Sequence, residues 1–201
     1  MRLVVATNNM HKIDEFRPLF PCHELLLPSD LGINEFCPEE NGKTFFENAY
    51  IKAKTLYQLL GIPSIADDSG LCVEALGGKP GIESARYGSN GGRLLTASEK
   101  NSLLLSELVE VSNRSCAFVC CLVLYYDKQR FICVQETLEG EIARSPSGKG
   151  GFGYDPIVYL PKYGKTVAEL SANEKNIISH RGKAAQKMAS ILTTLSLEYE
   201  D

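Results

Sequence analysis

The chain has 201 residues, 44% of them hydrophobic and 23% charged, with 21 basic against 25 acidic side chains and a formal net charge of −4. That length fits one domain, or two lobes sharing a core, and buries about two-thirds of the unfolded surface without a disulfide or metal staple. The composition excludes a disordered tail, a collagen-like fibre and a coiled coil, and the mild acidity argues against sequence-independent duplex binding, which wants a basic footprint.

The chain opens with a short β-branched strand at 2–6, followed by the polar turn Thr7-Asn8-Asn9. The apolar run Leu3–Ala6 is too short for a signal-peptide core, and no later stretch reaches the roughly 20 apolar residues that span a bilayer. From Asn9 a helical pattern runs through Ile13, Phe16 and Phe20, with Pro18 crowding its end, and Leu25–Leu27 reads as a second strand. Residues 28–43 are polar and irregular. Thr44-Phe-Phe-Glu47 has the form of a capping box, in which two side chains satisfy two orphan amides reciprocally. Behind it Phe46, Ala49, Tyr50, Ala53, Leu56, Tyr57 and Leu60 recur at helical spacing until Gly61. Ile62–Ala66 is a buried strand running into Asp67-Asp68-Ser69-Gly70.

Thr96-Ala-Ser-Glu99 opens a further helix to about Val109, and residues 115–126 and 130–138 form a hairpin around Asp127-Lys128-Gln129. A glycine-dense loop spans Gly148 to Pro156, and Ser171-Ala-Asn-Glu174 is a third capping box. The last helix, from about Arg181 to Leu195, carries Ala184, Ala185, Met188, Ile191, Leu192 and Leu195 on its apolar side. Helices interleave with strands and one stretch is a hairpin, so the fold is an α/β domain with a mixed sheet. The seven cysteines include no C-x-x-C pair, and with only His11, His23 and His180 a structural zinc site has little to build on. They read as buried thiols in a reducing cytoplasm.

Four polar segments interrupt the apolar elements. Thr7-Asn8-Asn9-Met10-His11-Lys12 couples a strand end to a helix N-terminus, whose amides and dipole suit a phosphate. The plainer alternative is an Asx turn with Asn9 as N-cap and Lys12 in solvent. It is not a P-loop, since no G-x-x-x-x-G-K-[ST] occurs. Glu39-Glu40-Asn41-Gly42 and Asp67-Asp68-Ser69-Gly70 bring carboxylates from separate loops, a set that suits Mg²⁺ bound through few protein oxygens and substrate phosphates. The second of these reads equally as a turn closed by Asx hydrogen bonds. In the glycine loop Phe152 and Tyr154 offer rings on which a base could stack, and Lys175 and Arg181 could supply charge. His180-Arg181 at a helix start is either surface decoration or part of the site, and the dipole disfavours cations there. Asn48 and Lys52 share a helix face beside the core stripe, where a solvated face is the expectation.

Taken in order, Ala-Thr7-Asn-Asn9-x-x-Lys12, Glu40-Asn-Gly42-x-Thr44-Phe-x-Glu47-Asn48-Ala, Ala66-Asp-Asp-Ser-Gly70-Leu, Pro80-Gly-Ile-x-Ser-Ala-Arg86-Tyr, Gly151-Phe-Gly-Tyr-Asp-Pro156 and Ser179-His-Arg181 resemble the inosine triphosphate pyrophosphatase family. The resemblance covers almost the whole chain. It implies an elongated mixed sheet flanked by helices, with two lobes around a central cleft, and a homodimer. It further implies Mg²⁺-dependent hydrolysis of ITP, dITP and XTP to the monophosphate and pyrophosphate. Thr7 through Lys12 fall on the family's phosphate-binding turn, and Glu40 and Asp68 on its metal carboxylates, with Asp68 also at its catalytic-base position. Ser69, Phe152, Gly153, Tyr154, Asp155, Lys175, His180 and Arg181 fall on its substrate contacts. Asn8 stands where many members carry glycine, and asparagine tolerates the left-handed conformation better than most residues. Arginine carries only donors, so Arg181 suits the 6-oxo acceptor of hypoxanthine or xanthine. The rival readings are a phosphatase releasing orthophosphate and a nucleotide-binding module without turnover.

Overall fold

The computed structural model describes residues 1–7, 9–89 and 92–198, the last three through their backbone alone. Among the described residues five helices and seven strands follow in the order β1 (Arg2–Val5), α1 (Met10–Phe16), β2 (Glu24–Leu26), α2 (Phe45–Leu60), β3 (Ser64–Val73), α3 (Ala97–Glu107), β4 (Ser115–Asp127), β5 (Arg130–Ile142), β6 (Val158–Leu160), β7 (Lys165–Thr166), α4 (Ala172–Ile178) and α5 (His180–Glu198). The strands form one sheet in the order β2-β1-β3-β4-β5-β6-β7. β1 pairs in parallel with β2 and β3, whereas β5–β6 and β6–β7 are antiparallel. The mixed α/β class expected from the sequence is therefore the class observed.

The contacts divide the chain into two compact units. The first takes in the chain up to Asp68, Cys120–Glu136 and the chain from His180 onward; the second takes in Ser69–Val119 and Thr137–Ser179. In the first unit the sheet is buried on both faces. Leu3, Val5, Ile65, Cys120, Leu122 and Leu124 pack against Ile13 and Phe16 of α1 and Ala184, Ala185, Met188 and Leu192 of α5. Val4, Ala6, Ala66, Cys121, Val123 and Tyr125 pack against Ala49, Ala53 and Leu56 of α2. The alternation of β4 between these clusters explains its continuous apolar sequence, since a strand covered on both sides needs no polar face. The second unit has its own core, built on Leu71 and Val73 of β3, Leu104 and Leu108, Phe118 of β4, and Ile157 and Val158.

The capping signals hold locally. Thr96 with Glu99 and Ser171 with Glu174 are reciprocal boxes. At α2 the Thr44 side chain accepts from the Glu47 amide, but the Glu47 carboxylate reaches one residue further back, to the Lys43 amide at 2.5 Å.

Two expectations are corrected. The motif Asp67-Asp68-Ser69-Gly70 neither ends a strand nor makes a turn, because β3 runs through it to Val73. Leu71 and Val73 continue the apolar alternation into the second unit's core, and Gly70 is required by close packing: a Cβ there would collide with the Gly81 carbonyl and the Ser84 hydroxyl. The cysteines are not uniformly buried: Cys116, Cys120 and Cys121 are, while Cys22, Cys37 and Cys133 are exposed and Cys72 is intermediate, all seven being free thiols. Among the described residues no helix is long and apolar enough to cross a membrane.

Candidate active site

β1 delivers the chain into the turn before α1. Asn9 is the N-cap, its side chain accepting from the His11 amide at 3.0 Å, and its own amide donates to the Thr7 hydroxyl at 3.1 Å. Met10 and His11 are exposed on the first turn; Asn8 lies outside the described residues. The N-cap geometry is the one expected, but Lys12 is not in solvent. Its ammonium lies 2.9 Å from Asp67 Oδ2.

Asp67 occupies a closed position on β3, its side chain 0% exposed. The same Oδ2 accepts from Nε and Nη2 of Arg181, each at 3.3 Å. Arg181 Nη1 donates to Glu15 on α1 at 2.5 Å. Burial alone would push the Asp67 pKa up, yet Lys12 and Arg181 outweigh it and hold the carboxyl well below the usual range. His180 and Arg181 are both buried at the start of α5, so surface decoration is not their role. The Arg181 charge at this helix start is compensated by the carboxylates of Asp67 and Glu15 rather than by solvent, which answers its mismatch with the dipole. Read from the sequence as a donor to a purine 6-oxo group, Arg181 here directs its guanidinium at Asp67 and Glu15. Glu15 carried no signal beyond being one helical turn from Lys12.

Asp68 points to the opposite face of the strand, toward α2. Lys52 Nζ lies 3.2 Å from its Oδ1, and Asn48 Nδ2 donates to its Oδ2 at 3.3 Å. Asn48 is 1% and Lys52 8% exposed, so the expected solvated face is instead a buried one, turned to a carboxylate. Their four-residue spacing puts both side chains on one side of α2. Asn48 Oδ1 also accepts from the Gly42 amide at 2.9 Å, and a Cβ on Gly42 would meet that oxygen. Asn48 thus pins the loop carrying Glu40, whose carboxylate lies 3.6 Å from Lys52. Burial is the dominant influence on Asp68 and raises its pKa, despite Lys52 and Lys12.

Glu40 and Asp68 both face the Lys52 ammonium and share it as a counter-charge. Among the described residues no group of three or more His, Cys, Asp or Glu could hold a metal. A two-carboxylate set fits an ion that keeps several waters and takes its other ligands from phosphates, and does not fit a closed structural site.

The remaining candidates fall in the second unit. Ser69 is half-buried on β3. Lys175 Nζ lies 2.7 Å from Asp155 Oδ2 and 4.7 Å from the centroid of the Phe152 ring, and the Phe152 amide donates to the same carboxylate at 2.8 Å. Gly151, at φ 68°, admits no Cβ because Asp155 fills that space. Phe152 keeps a half-exposed ring. Tyr154 does not: its ring belongs to the core, and its hydroxyl donates to the Ser84 carbonyl at 3.0 Å. The alternation of aromatics among glycines suggested two stacking faces, and the loop turns one of them inward. Asn101, absent from the sequence candidates, holds the Gly153 carbonyl at 3.1 Å from the buried side of α3.

Residues 3–191 match the model of the Ham1 family. The chain belongs to the Ham1 family. This Ham1-family chain is 54% identical over 184 residues to a dITP/XTP pyrophosphatase of Treponema denticola, covering 92% of this chain and 94% of the relative. A dITP/XTP pyrophosphatase of Neisseria meningitidis serogroup B is 44% identical, over 98% and 97% of the two chains. Among solved structures it is similar to the Staphylococcus aureus Ham1 protein, with TM-score 0.87 at 40% identity over 96% of this chain and 99% of that one. A HAM1 protein from Coxiella burnetii gives TM-score 0.88 at 38% identity with the same coverage.

The Asp67 cluster makes a stability prediction. Asp67→Asn leaves the half-buried Lys12 and the buried Arg181 without their shared counter-charge and should cost about 3–5 kcal/mol, read as a lower midpoint in urea. Because the folded pKa of Asp67 is depressed, its contribution is present above the unfolded value and is lost as pH falls toward the folded one. The gap between wild type and variant should therefore narrow below about pH 4. A gap that stays constant down to the acid transition would deny Asp67 this role.

Proposed function

We propose that this chain hydrolyses dITP, XTP and ITP to the corresponding monophosphates and pyrophosphate, with Mg²⁺ held by Glu40 and Asp68. The observation that carries the reading is Asp68: a carboxyl made more basic by burial, set between Lys52 and Asn48 and beside the Glu40 loop. The identity to relatives named dITP/XTP pyrophosphatase supports the substrate class.

The chemistry assigned to each residue follows from its contacts. The turn of Thr7, Asn9, Met10 and His11 offers polar groups and a helix N-terminus to the phosphates. Lys12, although paired with Asp67, keeps part of its side chain accessible and adds positive potential there. Mg²⁺, when bound, supplies charge compensation for the triphosphate. Asp68 orients water toward the α-phosphorus and accepts its proton, for which a raised pKa is an advantage. Asn48 and Lys52 fix the two Asp68 oxygens, so the carboxylate is aimed before substrate arrives. Lys52 offsets negative charge as pyrophosphate departs. Within the second unit the Lys175 ammonium lies over the Phe152 ring and stiffens it. Arg181 holds Asp67, Glu15 and the start of α5 together. The same reading includes a homodimer, which sedimentation equilibrium would measure, and a cytoplasmic location.

Hydrolysis in isotopically labelled water should put the label in the monophosphate and none in pyrophosphate. Orthophosphate as the product would replace this reading with a phosphatase. Asp68→Asn should lower kcat by about 10²–10⁴-fold while the protein stays folded. Near wild-type turnover in that variant would move the base elsewhere.

A further inference from the structure

Cys121 and Cys133 sit on the neighbouring strands β4 and β5, with their sulfur atoms 3.3 Å apart. That is sulfur–sulfur contact, and a modest approach reaches the disulfide length of about 2.04 Å. The two thiols differ in access. Cys121 is fully buried in the cluster beneath α2, whereas Cys133 is exposed. Cys120, next in the chain, packs in the cluster on the other face of the sheet and is not aimed at Cys133. A hydrogen bond from the Cys121 thiol favours the thiolate of Cys133 and brings its pKa down to about 7. Burial pushes the Cys116 and Cys120 thiols up to about 12, which leaves them inert.

We propose that Cys133 and Cys121 are an attacking and a resolving thiol that close to an intramolecular disulfide when a low-molecular-weight disulfide such as glutathione disulfide is present. The Cys133 thiolate attacks one sulfur of glutathione disulfide, that S–S bond breaks, and one glutathione leaves as its thiolate. The resulting mixed disulfide removes the negative charge and the hydrogen bond that disfavour ionisation of Cys121. Cys121 then gives up its proton to the released glutathione thiolate and attacks the Cys133 sulfur, the bond from Cys133 to glutathione breaks, and the second glutathione leaves as a thiolate that takes up the proton lost earlier from Cys133. Two protein thiols are oxidised and one glutathione disulfide is reduced to two glutathiones.

The test exposes the whole protein to glutathione buffers of rising oxidised fraction, alkylates the remaining thiols, and maps unreduced tryptic peptides. Lys128 and Arg130 lie between the two cysteines, so the bond appears as two linked peptides, lighter by two hydrogens than their sum. The link should form before glutathione accumulates on the exposed thiols Cys22 and Cys37. Cys133→Ser should leave Cys121 reduced, and Cys121→Ser should retain glutathione on Cys133. Capture of Cys22 or Cys37 while Cys121 and Cys133 remain alkylatable overturns the proposal. A mixed disulfide that persists on Cys133 in wild type, without the link, overturns it equally.

Discussion

One carboxylate, that of Asp67, is held away from water by a lysine from the first turn of α1 and an arginine from the first turn of α5. Burying an ion costs several kcal/mol, so a charge in this position persists only if its partners are fixed in place. Lys12 and Arg181 are far apart in the chain, and Asp67 requires both at once. The interaction therefore ties the turn after β1, the middle of β3 and the start of α5 into one arrangement. Glu15 completes it by taking the remaining side of the Arg181 guanidinium.

The next residue has the opposite character. Alternation along a strand turns Asp68 to the other face of the sheet, where α2 supplies Lys52 and Asn48. Asp67 meets enough positive charge to outweigh burial; Asp68 does not. Two identical side chains, adjacent in sequence, are set as a fixed structural anion and a carboxyl of raised pKa. The strand that carries them cannot be a loop, because a loop would expose both and remove the difference.

The elements whose signals are local were legible in the sequence. Two capping pairs, most of the core stripe of α2 and the apolar face of α5 depend on residues within a few turns, and they formed where their patterns stood, apart from Phe46, which is exposed. The Thr44–Glu47 pair formed only in part, since nothing in its spacing says which upstream amide the glutamate will reach. The passage of β3 through Asp67-Asp68-Ser69-Gly70 was illegible because the cations that make those carboxylates tolerable come from residues 12, 52 and 181. Asn48 and Lys52 read as solvated for the same reason. Tyr154 escaped because a glycine loop does not reveal which way its rings turn, and β6 and β7, of three and two residues, are too short to show a period. The order of the motifs nonetheless marked the family, because spacing along the chain survives where local environment cannot be inferred.

The two adjacent aspartates are shifted in opposite directions from the ordinary carboxylate pKa. Carboxyl-carbon NMR of the aspartate-labelled protein, assigned with Asp67→Asn and Asp68→Asn and followed from neutral pH into acid, measures both directly. Asp67 should remain ionised below the ordinary aspartate range of about 3.9 until the fold is lost, while Asp68 should take up its proton above that range. Asp68 titrating at or below Asp67 would contradict the division of roles on which the proposed mechanism depends.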